Sequence, residues 1–495
     1  VETPQRFPAF SAGILPFRWM MKRNLADYQE LYELDLDDSR EPELGYDTNW
    51  VHEAQNQTEL LNSFAAHIRR EDSLCLFYAK HVPFVEGVGR ILIGVGRVKA
   101  VGALTEYSRS REGMRGMVWE RPLQHSIRPN GQDGFLMPYA ELLKIAEKDQ
   151  SIDLAPYVAH APSEHWEEFS YASELVCHDA AISALLSMEN ALCRIETDFG
   201  IATEWQRQWL HDELIRLWKV RGPFPGLGAV LKAFGLSRGI FVAHHLQQRV
   251  GENADPWPGV DLAFNNPGKL PQELRRDLKE LAATWKSLSS QRRAWLRLLS
   301  RFELNAEQAE FLYDETARTK VGWGEADKNL ISNPYRIYEI SRQDPRGIEL
   351  LTVDRGVFPE DIVRLKHPLE QPSQLESSLD FRRVRAFTIQ TLENAAAAGH
   401  TLQFAGSLAE EIRNGKTQPK CLVTADILAA VAPKMAPEVM AIVSGDQVAL
   451  QLKRYETIRE IVRKQVVGRV GGQRHVVALN WRKLIEEKFG SPGDQ

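Results

Sequence analysis

A Pro-Gly-Leu-Gly core interrupts the helical run of residues 203–236 and limits how this chain can fold more than any other stretch. Upstream, TEWQRQWLHDELIRLWKVRG places Trp205, Trp209, Leu214 and Leu217 on one stripe and ends at Gly222. Downstream, AVLKAFGL resumes the helical pattern. Pro223, Pro225, Gly226 and Gly228 lie between, and neither residue type sits in a helix interior without cost. The expected result is two helices joined by a tight turn. Consecutive backbone N–H groups at a helix start can hold a phosphate without reading a base. Gly226 and Gly228 then become candidate DNA contacts, with Lys232 just inside the second helix adding charge. A plain capped helix–helix turn fits the same residues equally well.

The surrounding chain reads as mainly α and multidomain: helical bundles with helix-hairpin-helix-like elements, plus an N-terminal mixed α/β module. Its 495 residues exceed what one core usually serves. The module spans 1–160. A helix is expected near 57–70, with β-branched and aromatic runs at 73–79 and 90–102 reading as strands. A helical domain follows over 161–302, with helices at 172–200, 203–222 and 272–302. The Pro-, Gly- and Asn-rich stretch 253–271 reads as a connector. Residues 303–430 hold short helices, and 431–495 form a small α/β segment. There VMAIVSGDQVALQLKR reads as a hairpin over Gly445-Asp446, leading into a basic helix.

A net charge of −6 excludes a whole-chain basic field, so nucleic-acid binding would need a local basic face. Two helices offer one. Arg293, Arg297 and Arg301 fall at i, i+4 and i+8, and Arg459, Arg463 and Lys464 lie in the basic run 453–474, which extends to Arg474. Both stripes also read as ordinary solvated faces.

The turn's hydrophobic-Pro-Gly-hydrophobic-Gly pattern resembles the helix-hairpin-helix motif of DNA-binding proteins. Asn333-Pro334-Tyr335 follows, and then an Arg-rich helix ending in Gly399-His400-Thr401. In this order, the three landmarks resemble the region before the motor in RecD-like superfamily 1 DNA helicases, over roughly residues 205–430. A second Gly-containing hairpin, usual in that family, is missing where TVDRGVFPEDIV stands at 352–363. The resemblance implies a parent that hydrolyses ATP and unwinds DNA, in repair or in defence against foreign DNA. It implies single-stranded or forked DNA, and other domains or subunits of the helicase, as partners. Gly399 and His400 also read simply as a helix C-cap, and the landmark residues as structural.

A motor needs a Walker A loop, and the Gly-Lys-Thr at 415–417 does not supply one: Glu410 stands where the first glycine belongs, and a helix rather than a strand precedes it. The chain is therefore expected to be the pre-motor part, inactive alone, with no catalytic residue and no cofactor of its own; ATP and Mg belong to the motor. GVGRVK lacks the third glycine of a dinucleotide loop and reads as a bulged strand. His125, Arg128 and Asp133 around a turn leave a nuclease module as an alternative, and a protein-interaction scaffold without DNA contact is the other. The acidic stretch 33–43 reads as a solvated loop rather than a metal site, and the adjacent His244 and His245 point in different directions on a helix, so no metal pair is expected there. Cys75, Cys177, Cys193 and Cys421 form no C-x-x-C pair, which argues against structural zinc and fits a reducing cytoplasm. There is no run of about eighteen apolar residues, so no membrane partner is expected. The chain starts on Val without signal-peptide layout, as a processed or excised fragment would.

Overall fold

The computed structural model describes residues 8–13, 17–22, 25–32, 34–43, 48–79, 82, 89–106, 119–128, 131–162, 178–271, 274–445, 447–472 and 480–489. Helix accounts for about 55% of the described residues, and the strands form antiparallel sheets. The described residues divide into two units, one from 1–387 with 410–423, the other from 388–409 with 424–495.

In the first unit, strand Ile91–Val101 is the centre of a five-stranded sheet. Leu74–Ala79 pairs along one edge. Gly134–Leu136 and Pro122–His125 share the other, and Ser11–Gly13 pairs with the latter. The glycines of GVGRVK lie in this strand, so the bulged-strand reading holds: the register shifts between Val98 and Ala100. A side chain at 96 would come within 2.7 Å of Ser126 Oγ, and one at 134 within 2.6 Å of Gly96 Cα. The glycines thus let the sheet curl on itself.

Strand alternation separates two cores. Cys75, Val98 and Leu123 face a cluster with Trp19, Leu60, Leu61 and Phe64, the latter three from or against helix Ala54–His67. Leu74, Leu76, Val95 and Phe135 face helices His178–Phe199 and Glu204–Arg221, through Ile182, Leu185, Leu214 and Trp218. The boundary expected at 160 therefore falls inside one core, because the sheet has apolar residues on both faces and needs helices on both.

Two expectations about elements change. The helix read over 272–302 is two, Arg275–Ser287 and Ser290–Leu299, with Ser289 capping the second by accepting from the Arg292 amide at 3.2 Å. The stretch read as a connector contains helix Trp257–Asn265, whose prolines sit at its start, where a missing N–H costs nothing. Residues 172–177 of the expected helix at 172–200 lie outside the described residues, Cys177 among them.

In the second unit, Val439–Ser444 pairs with Gln447–Leu452, and Gln403–Phe404 adds a third strand. Ser444 opposes Gln447, as the two-residue turn requires; Gly445 takes φ 61°, and Asp446 lies outside the described residues. Helix Phe381–Ala397 ends on Gly399 at φ 93°, with the His400 amide donating to the Ala395 carbonyl at 2.7 Å. That is the C-cap expected of Gly-His-Thr.

Candidate nucleic-acid interface

The Pro-Gly-Leu-Gly turn joins helix Glu204–Arg221 to the short helix Leu227–Ala233. Gly226 is buried against the end of helix Ser290–Leu299, and its N–H donates to the Ser300 carbonyl at 3.0 Å. A Cβ there would lie 1.9 Å from the Phe302 carbonyl oxygen. Gly228 lies against helix Gly239–Val250, where a Cβ would sit 3.0 Å from Ile240 Cα. The amide of Gly226 is thus spent inside the fold, and the expectation that it grips a DNA backbone is corrected. Lys232 is half-buried in the last turn of its short helix, at the far end from the turn it was expected to support.

The stripe Arg293, Arg297, Arg301 meets the same turn, and it also points inward. Arg293 lies 4.9 Å over the Trp285 ring, 3.1 Å from Asp261. Arg297 lies 5.0 Å over Phe224, the residue just before Pro225, and 2.7 Å from Asp255. Arg301 is 4% exposed and donates to the Gly356 carbonyl at 2.8 Å and the His367 carbonyl at 3.0 Å. Three cations interleaved with Phe224, Trp257 and Trp285 form an internal cation–π stack. The expected DNA-facing stripe is corrected accordingly: Arg293 and Arg297 share the helix, Arg301 lies in the turn past its end, and all three have partners within the fold.

Two of the helicase-like landmarks, the Asn-Pro-Tyr and the start of the Arg-rich helix, meet at Asp354. Tyr335 of the Asn-Pro-Tyr is fully buried, and its hydroxyl donates to Asp354 at 2.6 Å. Arg383 of the Arg-rich helix donates to both oxygens of Asp354, at 2.7 and 2.9 Å. Asp354 lies in helix Leu350–Val357, within the segment where the resemblance expects a second hairpin. Nearby, Arg385 pairs with buried Glu339 at 2.9 Å, and Arg382 with Asp380 at 2.9 Å. Tyr335, Arg383 and Asp354 therefore form an internal buttress. No short-range pattern marked Asp354, since its partners are 19 and 29 residues away.

Helix Lys453–Val470 differs from all of these: none of its residues is buried. Arg459, Arg463 and Lys464 are exposed. Arg459 comes no closer than 4.0 Å to Glu456, and Arg463 and Lys464 have no carboxylate within that range among the described residues. At its start, Arg454 is held by Glu393 and by the Tyr455 hydroxyl. Ile458, Ile461, Val462, Val466 and Val470 are also half or more exposed on this helix. Arg474 lies outside the described residues.

The other candidates have structural partners. His125 is 6% exposed, packs edge-on to Phe77 at 4.4 Å, and is pushed down to about 4 by burial and the neighbouring Arg128. Asp133 is bound by Arg97 at 3.1 Å and Lys99 at 2.6 Å, so the nuclease alternative loses both residues to packing and ion pairs. Gly415 follows helix Ala405–Arg413 and Thr417 is buried, which is no phosphate loop. In the acidic stretch, Glu41 accepts backbone N–H groups from His52 and Glu53. No group of metal-ligating side chains exists among the described residues, and no described helix is long and apolar enough to cross a membrane. Comparison of the chain with protein-family models, with curated proteins and with solved structures finds no match.

Proposed function

We propose that this chain is a DNA-engaging scaffold of the RecD-like helicase kind, and that it touches DNA through helix Lys453–Val470. The observation that carries the reading is the exposure of Arg459, Arg463 and Lys464 on a helix with no buried residue. Arg293, Arg297 and Arg301 each have an aromatic ring, carboxylate or carbonyl partner within the first unit. Charges placed this way add affinity through phosphates and carry no base information. In this reading the Pro-Gly-Leu-Gly turn and the Asp354 buttress hold the scaffold rigid. ATP hydrolysis and Mg binding belong to a motor, as the resemblance implies.

The test is a titration of labelled single-stranded, duplex and forked DNA with the chain and with Arg459→Gln/Arg463→Gln/Lys464→Gln. Binding to the parent chain at low salt, weakened at least tenfold in the triple variant, is expected. No binding at low salt sinks the reading.

A second reading has its own observation. Ile458, Ile461, Val462, Val466 and Val470 form an exposed aliphatic arc on the same helix. That arc suits a protein partner, and makes the chain an interaction scaffold. Ile458→Ser/Val462→Ser would then leave DNA binding intact while abolishing association with the partner subunit or domain.

A further inference from the structure

Arg221, Arg301, Arg318, Arg355, Arg383 and Arg385 are the buried arginines among the described residues. Five of them face a carboxylate. Arg221 and Arg355 meet Asp179 at 2.5 and 4.0 Å, Arg318 meets Asp327 at 2.5 Å, Arg383 meets Asp354, and Arg385 meets Glu339. Arg301 meets none. A buried charge normally has a counter-charge, because taking it out of water is costly. Its two carbonyl partners, Gly356 and His367, use two of a guanidinium's five N–H groups, which leaves three. Burial, and after it the neighbouring Arg221 and Arg297, press its pKa down to about 9, against a smaller opposing pull from Asp255.

Arg301 lines a cavity. The walls are Arg297, Arg301, Leu298, Ile331, Glu370 and Ser373, with Pro368, Leu369 and Gln371 closing one side. The cavity has a volume of about 50 Å³, several times what one water needs. Two cations and one anion line it. The anion, Glu370, is 81% exposed and stands 3.9 Å from Arg297, so it can withdraw into solvent at no burial cost. Arg297, on helix Ser290–Leu299, is held by Asp255, and Arg301 follows in the turn just past the end of that helix. Two guanidinium groups at i and i+4 beside a polar-mouthed cavity suit a tetrahedral oxyanion, which accepts charge-assisted hydrogen bonds from both.

We propose that this cavity is a binding site for a phosphate group, held by Arg301 at its base and Arg297 at its rim, with the exposed Glu370 as the carboxylate it displaces. The site is distinct from the exposed helix Lys453–Val470 and stands whether or not that helix binds DNA. It takes a compact phosphate, either inorganic phosphate or a terminal phosphomonoester on a nucleic acid. A mid-chain phosphodiester, singly charged and with two of its oxygens tied to sugars, offers the two guanidinium groups fewer acceptor oxygens.

The experiment is thermal unfolding of the full chain against inorganic phosphate, with chloride at matched ionic strength as control. Binding to the folded state alone raises the midpoint saturably. The wild type is expected to show that rise. Arg297→Gln should weaken the apparent affinity about tenfold, the loss of one charge-assisted contact. Arg301→Met should abolish the rise, and Glu370→Gln should tighten binding by removing the competing carboxylate. Should Arg301→Met fail to fold, the opposed shifts of the Arg297 and Glu370 variants still decide the matter. A midpoint that responds equally to phosphate and chloride, or a phosphate response unchanged in both the Arg297 and Glu370 variants, overturns the proposal. Competition with 5′-phosphorylated and 5′-hydroxyl oligonucleotides separates the sources. Displacement of phosphate by the first alone supports the site with a nucleic-acid end as ligand, and displacement by neither supports it with a small anion. Displacement by both oligonucleotides alike overturns it.

Discussion

An alanine at position 226 would put its Cβ 1.9 Å from the Phe302 carbonyl oxygen, a backbone atom that cannot swing aside. The φ of Gly226, −85°, suits any residue, so the requirement is close approach rather than backbone freedom. Gly226→Ala should therefore cost about 3 kcal/mol, at the upper end of overpacking. Gly228→Ala meets Ile240 Cα at 3.0 Å but gains helix propensity, and should change stability by less than about 1 kcal/mol. Urea unfolding of the two variants checks the contrast; equal losses would mean the turn is not wedged against helix Ser290–Leu299. His125 gives a second test at this scale. Burial holds its pKa at about 4, below the 6.5 of an unfolded chain. The unfolded state binds the proton first, so the neutral ring's stabilisation is complete above pH 6.5. It is lost as the pH falls from about 6.5 to about 4, by about 3 kcal/mol in full. His125→Gln, neutral throughout, should lose less stability than wild type between pH 7 and pH 4.5. Parallel pH profiles for the two chains would refute it.

Between elements, Asp354 ties helix Leu350–Val357 to Tyr335 and to Arg383 of helix Phe381–Ala397. Asp354→Asn keeps the shape and removes the counter-charge of an arginine that is fully buried. It should destabilise the chain by about 3–5 kcal/mol, and Arg383→Met added to it should restore much of that loss. A double-mutant cycle with no coupling between the two positions would show the pair to be incidental. The sequence made much of this level readable. Helices at 203–222 and 439–454's hairpin follow from apolar period and from glycine placement, and both are where the pattern puts them. The Arg293, Arg297, Arg301 stripe holds for its first two members, and Arg301 falls in the turn after the helix ends at Leu299. What period cannot say is what faces the stripe, and Phe224, Trp257 and Trp285 come to it from three other elements. The cavity beside Arg301 was illegible for the same reason, since residues 294–301 and 368–373 meet only in the fold. Prolines misled at 256 and 258, where they begin a helix rather than interrupt one.

At the scale of the whole molecule, the charge pattern decides how any DNA binding behaves. The chain carries 61 basic and 67 acidic residues, and much of its arginine is bound to carboxylates or aromatic rings inside the first unit. Net repulsion from a −6 body opposes DNA approach, so affinity must come from a small exposed set of cations. With Arg459, Arg463 and Lys464 as three phosphate contacts, the slope of log affinity against log salt for single strands is about −2. Raising salt fourfold should then weaken binding roughly twentyfold. Each single charge removal should flatten the slope by about 0.7, and the triple variant should be nearly salt-independent over the same range. A basic surface elsewhere would show a steeper slope that the triple variant leaves in place. The measurement therefore separates contact through one helix from diffuse attraction, and a slope unmoved by all three substitutions would remove helix Lys453–Val470 from the interface.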